Sequence, residues 1–464
     1  MTALAGEQWG RSVRARPPSP QQRRASGRAA RVQVPLDSLG LWDPAVRRQD
    51  ALATILAQND LRVAELAPIR AARMSASPWT YYRGAAAVMA ADLAVYPHTS
   101  LNVQLCGDAH ALNFGLWATP ERQLSFDLRD FDETLRGPFE WDVKRFAASL
   151  VVLAGDNDLS AKTAERALRS ALRSYRGRMS HFAAATQLEI WYDLVTVTDL
   201  LQLFEPEERE RLAARVRKRA RRRTSAGAAA KLTTIVDGQL RIVEDPPIRV
   251  RIDDASLAGS DVDLAVDVVQ AYRDSLPYER RYLLDRFTVV DVVRQVVGVG
   301  SVGMLVFLVL LEGHGGGDPL FLQVKQAGPS VYEPYLGASP YPNHGQRVIT
   351  GKRLIQSATD IFVGWTSADG RDFYVRQFRD MKIIPHGETI APHLVEFAAQ
   401  CGAVLARAHA RTGDAVSIAA YIGKGRRFDD AIVSFATSYA RQNAVDHRQL
   451  TDAISVGTVL SAPG

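Results

Sequence analysis

Two acidic stretches carry residue types that can do chemistry together. One is Cys106-Gly107-Asp108-Ala109-His110-Ala111-Leu112-Asn113; the other, seventeen residues past the asparagine, is Asp130-Phe131-Asp132-Glu133-Thr134. An Asp followed five positions later by an Asn, then a second Asp opening Asp-Phe-Asp, is the layout of a base and metal ligands in phosphoryl transfer. On this reading Asp108 orients or deprotonates an attacking hydroxyl. Asn113 and Asp130 hold the magnesium ions that bridge the phosphates of ATP, with Asp132 as a further candidate ligand. His110 joins Asp108 in the catalytic set, as a group hydrogen-bonded within the loop rather than as a metal ligand. Glu133 reads as a helix-start residue. Asp127 alternates to the opposite side of its strand and reads as structural.

The elements around these stretches are those needed to fix them. Short strands over 103–106 and 123–128 lead into the two motifs. A helix begins at Gly137-Pro138-Phe139-Glu140-Trp141-Asp142 and runs to about Leu153, with its proline where a helix start tolerates one. Further helix extends through Tyr175 and again over 186–203. Residues 205–223 place acids first and bases last, as the helix dipole favours. Without interleaved aromatics this segment reads as a solvated face rather than a nucleic-acid surface. Ser225-Ala226-Gly227 is its expected stop. A hairpin is expected over 232–252 around Asp237-Gly238, and an acidic linker over 253–262 is the expected domain boundary.

Beyond Phe287 the pattern turns to strands. Two of them flank Gly298-Val299-Gly300-Ser301-Val302-Gly303, a third covers 319–325, and another covers 372–378. A Gly-x-Gly-x-x-Gly stretch between two strands suits a phosphate cover. The dinucleotide turn instead passes from strand to helix. Gly298, Gly300, Ser301 and Gly303 are therefore the expected phosphate contacts. Lys325 ends the apolar third strand and needs an anionic partner or a solvent-facing position; Glu333 is its candidate partner. Amphipathic helices over 392–411 and from Arg427 to about His447 close the chain.

The 464 residues are 47% hydrophobic and 23% charged, ordinary for a globular chain with a sizeable core. The net charge of +6 lies wholly in residues 1–35, where seven arginines face one acid, Glu7. The remaining body is neutral overall, which argues against a broad nucleic-acid platform. The first 40 residues are expected to be a disordered tail. They lack the apolar core of a signal peptide, and no apolar run reaches the ~20 residues that span a bilayer. Two cysteines, Cys106 and Cys401, make no disulfide framework and fit a reducing cytoplasm.

The sequence resembles domain-of-unknown-function family 2252 across most of residues 40–450. The resemblance runs through 73–84, 107–115, 126–134, 137–145, 298–303, Lys325, 376–382 and 406–414. It implies a protein-kinase-like fold, with local motifs similar to those of aminoglycoside and choline phosphotransferases. There Gly-Asp-x-His-x-x-Asn is followed by Asp-Phe and then by Gly-Asp-Pro-x-x-Asp. Here those positions are Gly107 to Asn113, Asp130-Phe131 and Gly137 to Asp142, and the resemblance implies that Asp142 anchors the catalytic loop from a helix.

The glycine loop and Lys325 follow the catalytic motifs instead of preceding them, so the expected architecture is an α+β, two-lobed, circularly permuted fold. Its parts are a helical lobe over 41–262, a small antiparallel-sheet lobe over 263–385 that binds nucleotide, and C-terminal helices over 386–464 packing on the large lobe. His409 to Asp414 is a rival catalytic loop in the usual order, but no fitting Asn or Asp-Phe follows it. The expected activity is ATP- and Mg2+-dependent phosphoryl transfer to a hydroxyl of a small molecule or protein. A catalytically silent nucleotide binder of the same fold is one alternative. A metallophosphoesterase is another, but it needs additional histidine ligands that the nine histidines do not offer in suitable spacing.

Overall fold

The computed structural model describes residues 17–202, 205–251 and 260–462. It is a mixed α+β protein built as a helical body and an antiparallel sheet. The chain enters through α1 (Pro20–Gln33), which begins at a reciprocal cap between Ser19 and Gln22. Gly27 and Ala30 are buried along one stripe of this arginine-rich helix. Arg23 pairs with Asp414 at 2.6 Å. The expectation of disorder is thus corrected from residue 20 onward, because two small residues and one ion pair dock a helix that composition alone makes look unstructured. Residues 1–16 lie outside the described residues.

After α2 (Pro78–Gly84) come four short strands: β1 (Asn102–Leu105), β2 (Phe114–Ala118), β3 (Leu124–Leu128) and β4 (Leu135–Pro138). β1 pairs antiparallel with β4, and β2 with β3. The first acidic motif lies between β1 and β2, the second between β3 and β4. Each motif is therefore held at both ends by a ladder whose other strand holds the other motif. Two sequence-distant loops are thereby forced side by side.

Behind them run α3 (Phe139–Asp156) and α4 (Ala161–Phe182), then α5 (Pro206–Arg221) and α6 (Ser225–Leu232). The expected stop at residues 225–227 is instead the first turn of α6, capped by Thr224. The hairpin forms as β5 (Thr233–Val236) and β6 (Gln239–Ile242). β7 (Arg249–Val250) already pairs with β8 (Phe287–Gln295), so the chain joins the sheet ahead of the expected boundary at 253–262. Residues 253–259 of that boundary lie outside the described residues.

The sheet has the order β11-β12-β10-β9-β8-β7, with β9 (Val306–Gly313), β10 (Pro319–Ala327), β11 (Gly364–Ala368) and β12 (Arg371–Gln377). Both faces are covered. Phe307, Val309 and Leu311 pack in the cluster of Leu264, Ala265 and Val268 from α7 (Ser260–Ala271), while Leu308 and Leu310 pack with Ala228, Leu232 and Ile242. Successive strand residues face opposite sides, which is why β9 reads as one continuous apolar run.

Between β10 and β11 lies α8 (His344–Ile355), which the sequence reading left unassigned. Helices α9 (Leu394–Thr412), α10 (Ala415–Ile422) and α11 (Arg427–Ser455) complete the body. Among the described residues one stretch, Gly387–Thr412, is long and apolar enough by composition to cross a membrane. Its main part, α9, buries Cys401, Val404, Leu405 and Ala408 in the principal core with Ala167 and Ala171 of α4.

Candidate functional site

A cavity of about 890 Å³ separates the acidic loops from the sheet, large enough for a nucleotide and a small acceptor. Asp108, His110, Asp130, Asp132, Gly298, Gly300, Ser301, Lys325 and Glu333 all line it. Three expected residues, Asn113, Asp142 and Gly303, do not.

Asp108 sits at the mouth of the first loop with 21% of its side chain exposed. One oxygen is gripped by the Arg145 guanidinium, at 2.7 Å from Nε and 2.5 Å from Nη2. Its other oxygen, Oδ2, lies 3.7 Å from His110 Nε2, and no hydrogen bond to it forms among the described residues. Burial pushes the Asp108 carboxyl above its ordinary range, and Arg145 only partly offsets that. The result is a carboxylate of raised basicity with one oxygen free. His110 is buried edge-on against Trp79, at 5.6 Å between ring centres. Burial, reinforced by Arg83, Arg145 and Arg129, drives its pKa far down, so the imidazole is neutral.

Backbone geometry fixes that loop from behind. Gly107 adopts φ +86°, where an added Cβ would lie 2.3 Å from the Glu133 carbonyl; glycine is required. Asp142, in the first turn of α3, accepts from the amides of Cys106 at 2.7 Å and Gly107 at 3.0 Å. Its Oδ2 also lies 3.3 Å from His409 Nε2, whose Nδ1 meets the Tyr175 hydroxyl at 2.7 Å. Asp142 therefore anchors the loop from a helix, in the supporting position assigned to it. The rival loop at His409 to Asp414 is corrected: His409 is fully buried behind Asp142, and Asp414 caps α10.

Asn113 has a different role from the metal ligand expected. Its Nδ2 donates to the carbonyls of Asp108 at 2.8 Å and Asp130 at 3.1 Å, and its Oδ1 accepts from the Asp130 amide at 2.8 Å. It is fully buried and ties the two loops together through backbone. An amide carries both donor and acceptor, which a loop-to-loop bridge needs and a carboxylate cannot supply.

On the sheet side, Lys325 and Tyr374 are direct cross-strand neighbours on β10 and β12. The Lys325 ammonium pairs with Asp132 Oδ2, and the Tyr374 hydroxyl donates to Asp132 Oδ1 at 2.6 Å. Only 3% of the Lys325 side chain is exposed, so it points into the cavity rather than to solvent. Burial alone would lower its pKa, but Asp132, Tyr374 and Asp130 outweigh that and keep it charged. This corrects two expectations. Asp132 has both oxygens engaged and is an ion-pair partner, not a metal ligand. Glu333 is not the partner of Lys325: its carboxylate accepts from the Ser330 amide at 3.1 Å and lies 3.8 Å from Arg347.

Asp130 is different again. No hydrogen bond to its carboxylate forms among the described residues. Burial opposes its charge, yet Lys325, Arg129, Arg376 and Lys382 together hold it below the usual carboxylate range. An ionised carboxylate facing a cavity suits a hard cation. Magnesium is typically bound by one or two carboxylates plus substrate phosphates. Among the described residues no group of three or more His, Cys, Asp or Glu converges on one point. Asp130 would therefore hold the ion together with ligand oxygens rather than in a complete protein cage.

The glycine loop closes the cavity from above. Gly298 and Gly303 have φ +68° and +93°. The loop is tethered through its carbonyls: Arg62 donates to Val302, Arg73 to Gly298 at 2.8 Å, and the Val63 amide to Gly303 at 2.8 Å. The Ser301 hydroxyl reaches Asp132 at 3.3 Å. Gly303 thus serves the tether and not the cavity lining.

Sequence reasoning missed Arg145, Arg83, Tyr374 and Tyr332. Arg145 follows Asp142 by one helical turn, a spacing that puts both on the face turned to the loop; that signal was available. Tyr332 donates to the Gly107 carbonyl at 2.6 Å from a segment that carries no pattern of its own.

Fold and site together define a mixed α+β protein with a charged cavity between a helical body and an antiparallel sheet. The model of the family described as "uncharacterized protein conserved in bacteria (DUF2252)" matches residues 62–453, and the chain belongs to that family. No curated protein and no solved structure matches it.

Proposed function

We propose that the protein is an ATP- and Mg2+-dependent phosphotransferase with a circularly permuted, protein-kinase-like architecture, acting on a hydroxyl. The observation that carries this reading is the meeting of Lys325 with Asp132 beside Asp130, between groups 193 residues apart in the chain. Strand, glycine loop, strand, lysine-bearing strand, helix, then two strands is the order from β8 to β12. That succession supports a phosphate-binding lobe written after its catalytic partner.

The residues divide the work. Asp108 Oδ2 accepts the proton of the attacking hydroxyl while Arg145 fixes the carboxylate plane. Bound magnesium supplies charge neutralisation of the phosphates, and Asp130 is the residue to hold it. Lys325 offers phosphate oxygens a buried positive charge in exchange for part of its contact with Asp132. Arg83 lines the cavity without a hydrogen-bond partner among the described residues, an anion-seeking cation beside Asp108 and Asp130. Catalysis of this kind rests on positioning and charge stabilisation rather than covalent chemistry.

Thermal unfolding with an ATP analogue and magnesium tests binding. At a hundred times its dissociation constant the ligand adds about 2.7 kcal/mol, and Asp130→Ala and Lys325→Ala should remove most of that. Asp108→Asn should keep the shift and lose transfer by about 100-fold or more, the usual scale of a general base. A parent protein with no shift ends the reading.

A silent nucleotide binder is the second reading. It is favoured by Asn113, whose oxygen already serves the Asp130 amide and leaves one free acidic metal ligand where transfer sites commonly use two. Transfer unchanged in Asp108→Asn but present in the parent would exclude Asp108 as base; transfer absent from both, with binding intact, establishes the silent reading.

A further inference from the structure

A second, smaller pocket lies behind Asp130, on the other side of a wall formed by Arg129 and Arg376, which line both cavities. Its volume is about 40 Å³, room for on the order of three waters or one small oxyanion head group. Lys352 and Lys382 complete a set of four cations around it. The acids on its lining do not balance them. Asp360 meets Lys352 at a long 3.4 Å, and Asp380 is already paired with Arg122. The Lys382 ammonium makes no hydrogen bond or ion pair among the described residues. Arg376 spends Nε and Nη2 on a single neutral acceptor, Gln323 Oε1, at 3.0 and 2.8 Å.

A further donor points the same way. Trp117 lines this pocket, is 8% exposed, and its buried indole N–H has no partner among the described residues. A buried indole donor left unpaired costs stability unless an acceptor arrives, and the half-buried Lys382 ammonium has only the charge of Asp130 near it. Gathering both with two arginines in a space of this size is what an oxyanion site requires.

We infer that this pocket binds an oxyanion, a phosphate or carboxylate group held by Arg129, Arg376, Lys352, Lys382 and the Trp117 indole N–H. This site does not depend on the phosphotransferase reading above.

The test is thermal unfolding of the full chain at constant ionic strength, with inorganic phosphate or acetate replacing chloride, for the parent, Lys382→Met and Lys325→Met. Phosphate, acetate or both should raise the parent's midpoint. A response to phosphate alone marks a phosphate site; a response to acetate alone marks a carboxylate site. Lys382→Met should weaken that binding at least tenfold, because one of the four cations around the pocket is gone. Lys325→Met should keep the response. No response in the parent, or a response surviving in Lys382→Met, overturns the site. An ATP-analogue shift measured alongside separates the two claims: its absence with the phosphate response intact ends the phosphotransferase reading and leaves the anion pocket standing.

Discussion

The two walls of the main cavity are held by different means. The acidic wall is fixed by buried, short bonds, those of Asp142 and Arg145 charge-assisted: Asp142 to two amides, Asn113 to three backbone groups, Arg145 to Asp108, Tyr332 to Gly107. The glycine wall has one serine contact to the opposite side and three tethers on its carbonyls. Its amides at Gly300 and Ser301 make no backbone bond across the cavity among the described residues. One wall is thus tied down by many bonds and the other by few. The proposed phosphotransferase would need that division, since a base and metal ligand must be placed to a fraction of an ångström while a phosphate cover must admit and release its guest.

Breaking the fixed wall should give the largest effect. Asp142→Ala removes the acceptor for the Cys106 and Gly107 amides and for His409, all buried. A loss of about 3–5 kcal/mol in urea unfolding is expected, the scale of stripping one member from a buried charged network. If Asp142→Ala costs no more than a change in the glycine loop, the contrast between the walls is wrong.

Lys325 and Asp132 are the bond between the walls, so they come next. Lys325→Met leaves Asp132 with the Tyr374 and Ser301 hydroxyls, and Asp132→Asn leaves a buried ammonium beside Asp130. Each single change should cost about 2–4 kcal/mol, and the double variant less than their sum by at least about 1 kcal/mol. Strict additivity in a double-mutant cycle would show that the pair does not couple the walls.

How far the sequence led can be traced along the same division. The acidic motifs stood out by residue type and spacing, and the structure brings Asp108 and Asp130 to one cavity with Asp142 bonded to the loop behind them. The roles of Asn113, Asp132 and Glu333 did not, because spacing places a residue on a loop without saying which neighbour claims its oxygens. Asp132 went to Lys325 and Tyr374, and Asn113 went to backbone. On the sheet, strands and the glycine turn were readable from their apolar runs, yet α8 was missed. Its twelve residues mix His, Gln, Arg and Lys with buried Val348, Ile349 and Ile355, so its apolar stripe is narrow. The first helix was hidden for the opposite reason: small residues bury it, and small residues leave little hydrophobic signal.

Glu133 sharpens the contrast through pH. Its carboxylate stands where the acidic loop meets the sheet-side segment, accepting from the Val331 amide at 2.8 Å. Burial pushes its pKa up from 4.5 to about 7, with the Val331 amide and Arg347 opposing only in part. The folded protein therefore binds this proton more tightly than the unfolded chain. Its contribution is unpenalised below about pH 4.5, and stability falls as pH rises toward 7. Glu133→Gln should flatten that part of the profile when urea unfolding is measured between pH 5 and 8. An identical slope in the variant would place the titration elsewhere.

The smallest effect should come from the movable wall. Ser301→Ala removes one hydroxyl contact of 3.3 Å to a carboxylate already served by Lys325 and Tyr374. A stability change within about 1 kcal/mol is expected, the net worth of a single hydrogen bond. The informative measurement is affinity for an ATP analogue with magnesium. A loop that spends its serine on holding the ligand-free cavity closed should bind the analogue equally well or up to about threefold more tightly once that contact is gone. A loop whose serine instead grips phosphate should lose about tenfold, near 1.4 kcal/mol. The sign of that one change reports whether the glycine wall is a latch on the empty cavity or part of the phosphate grip, at a position where folding stability registers almost nothing.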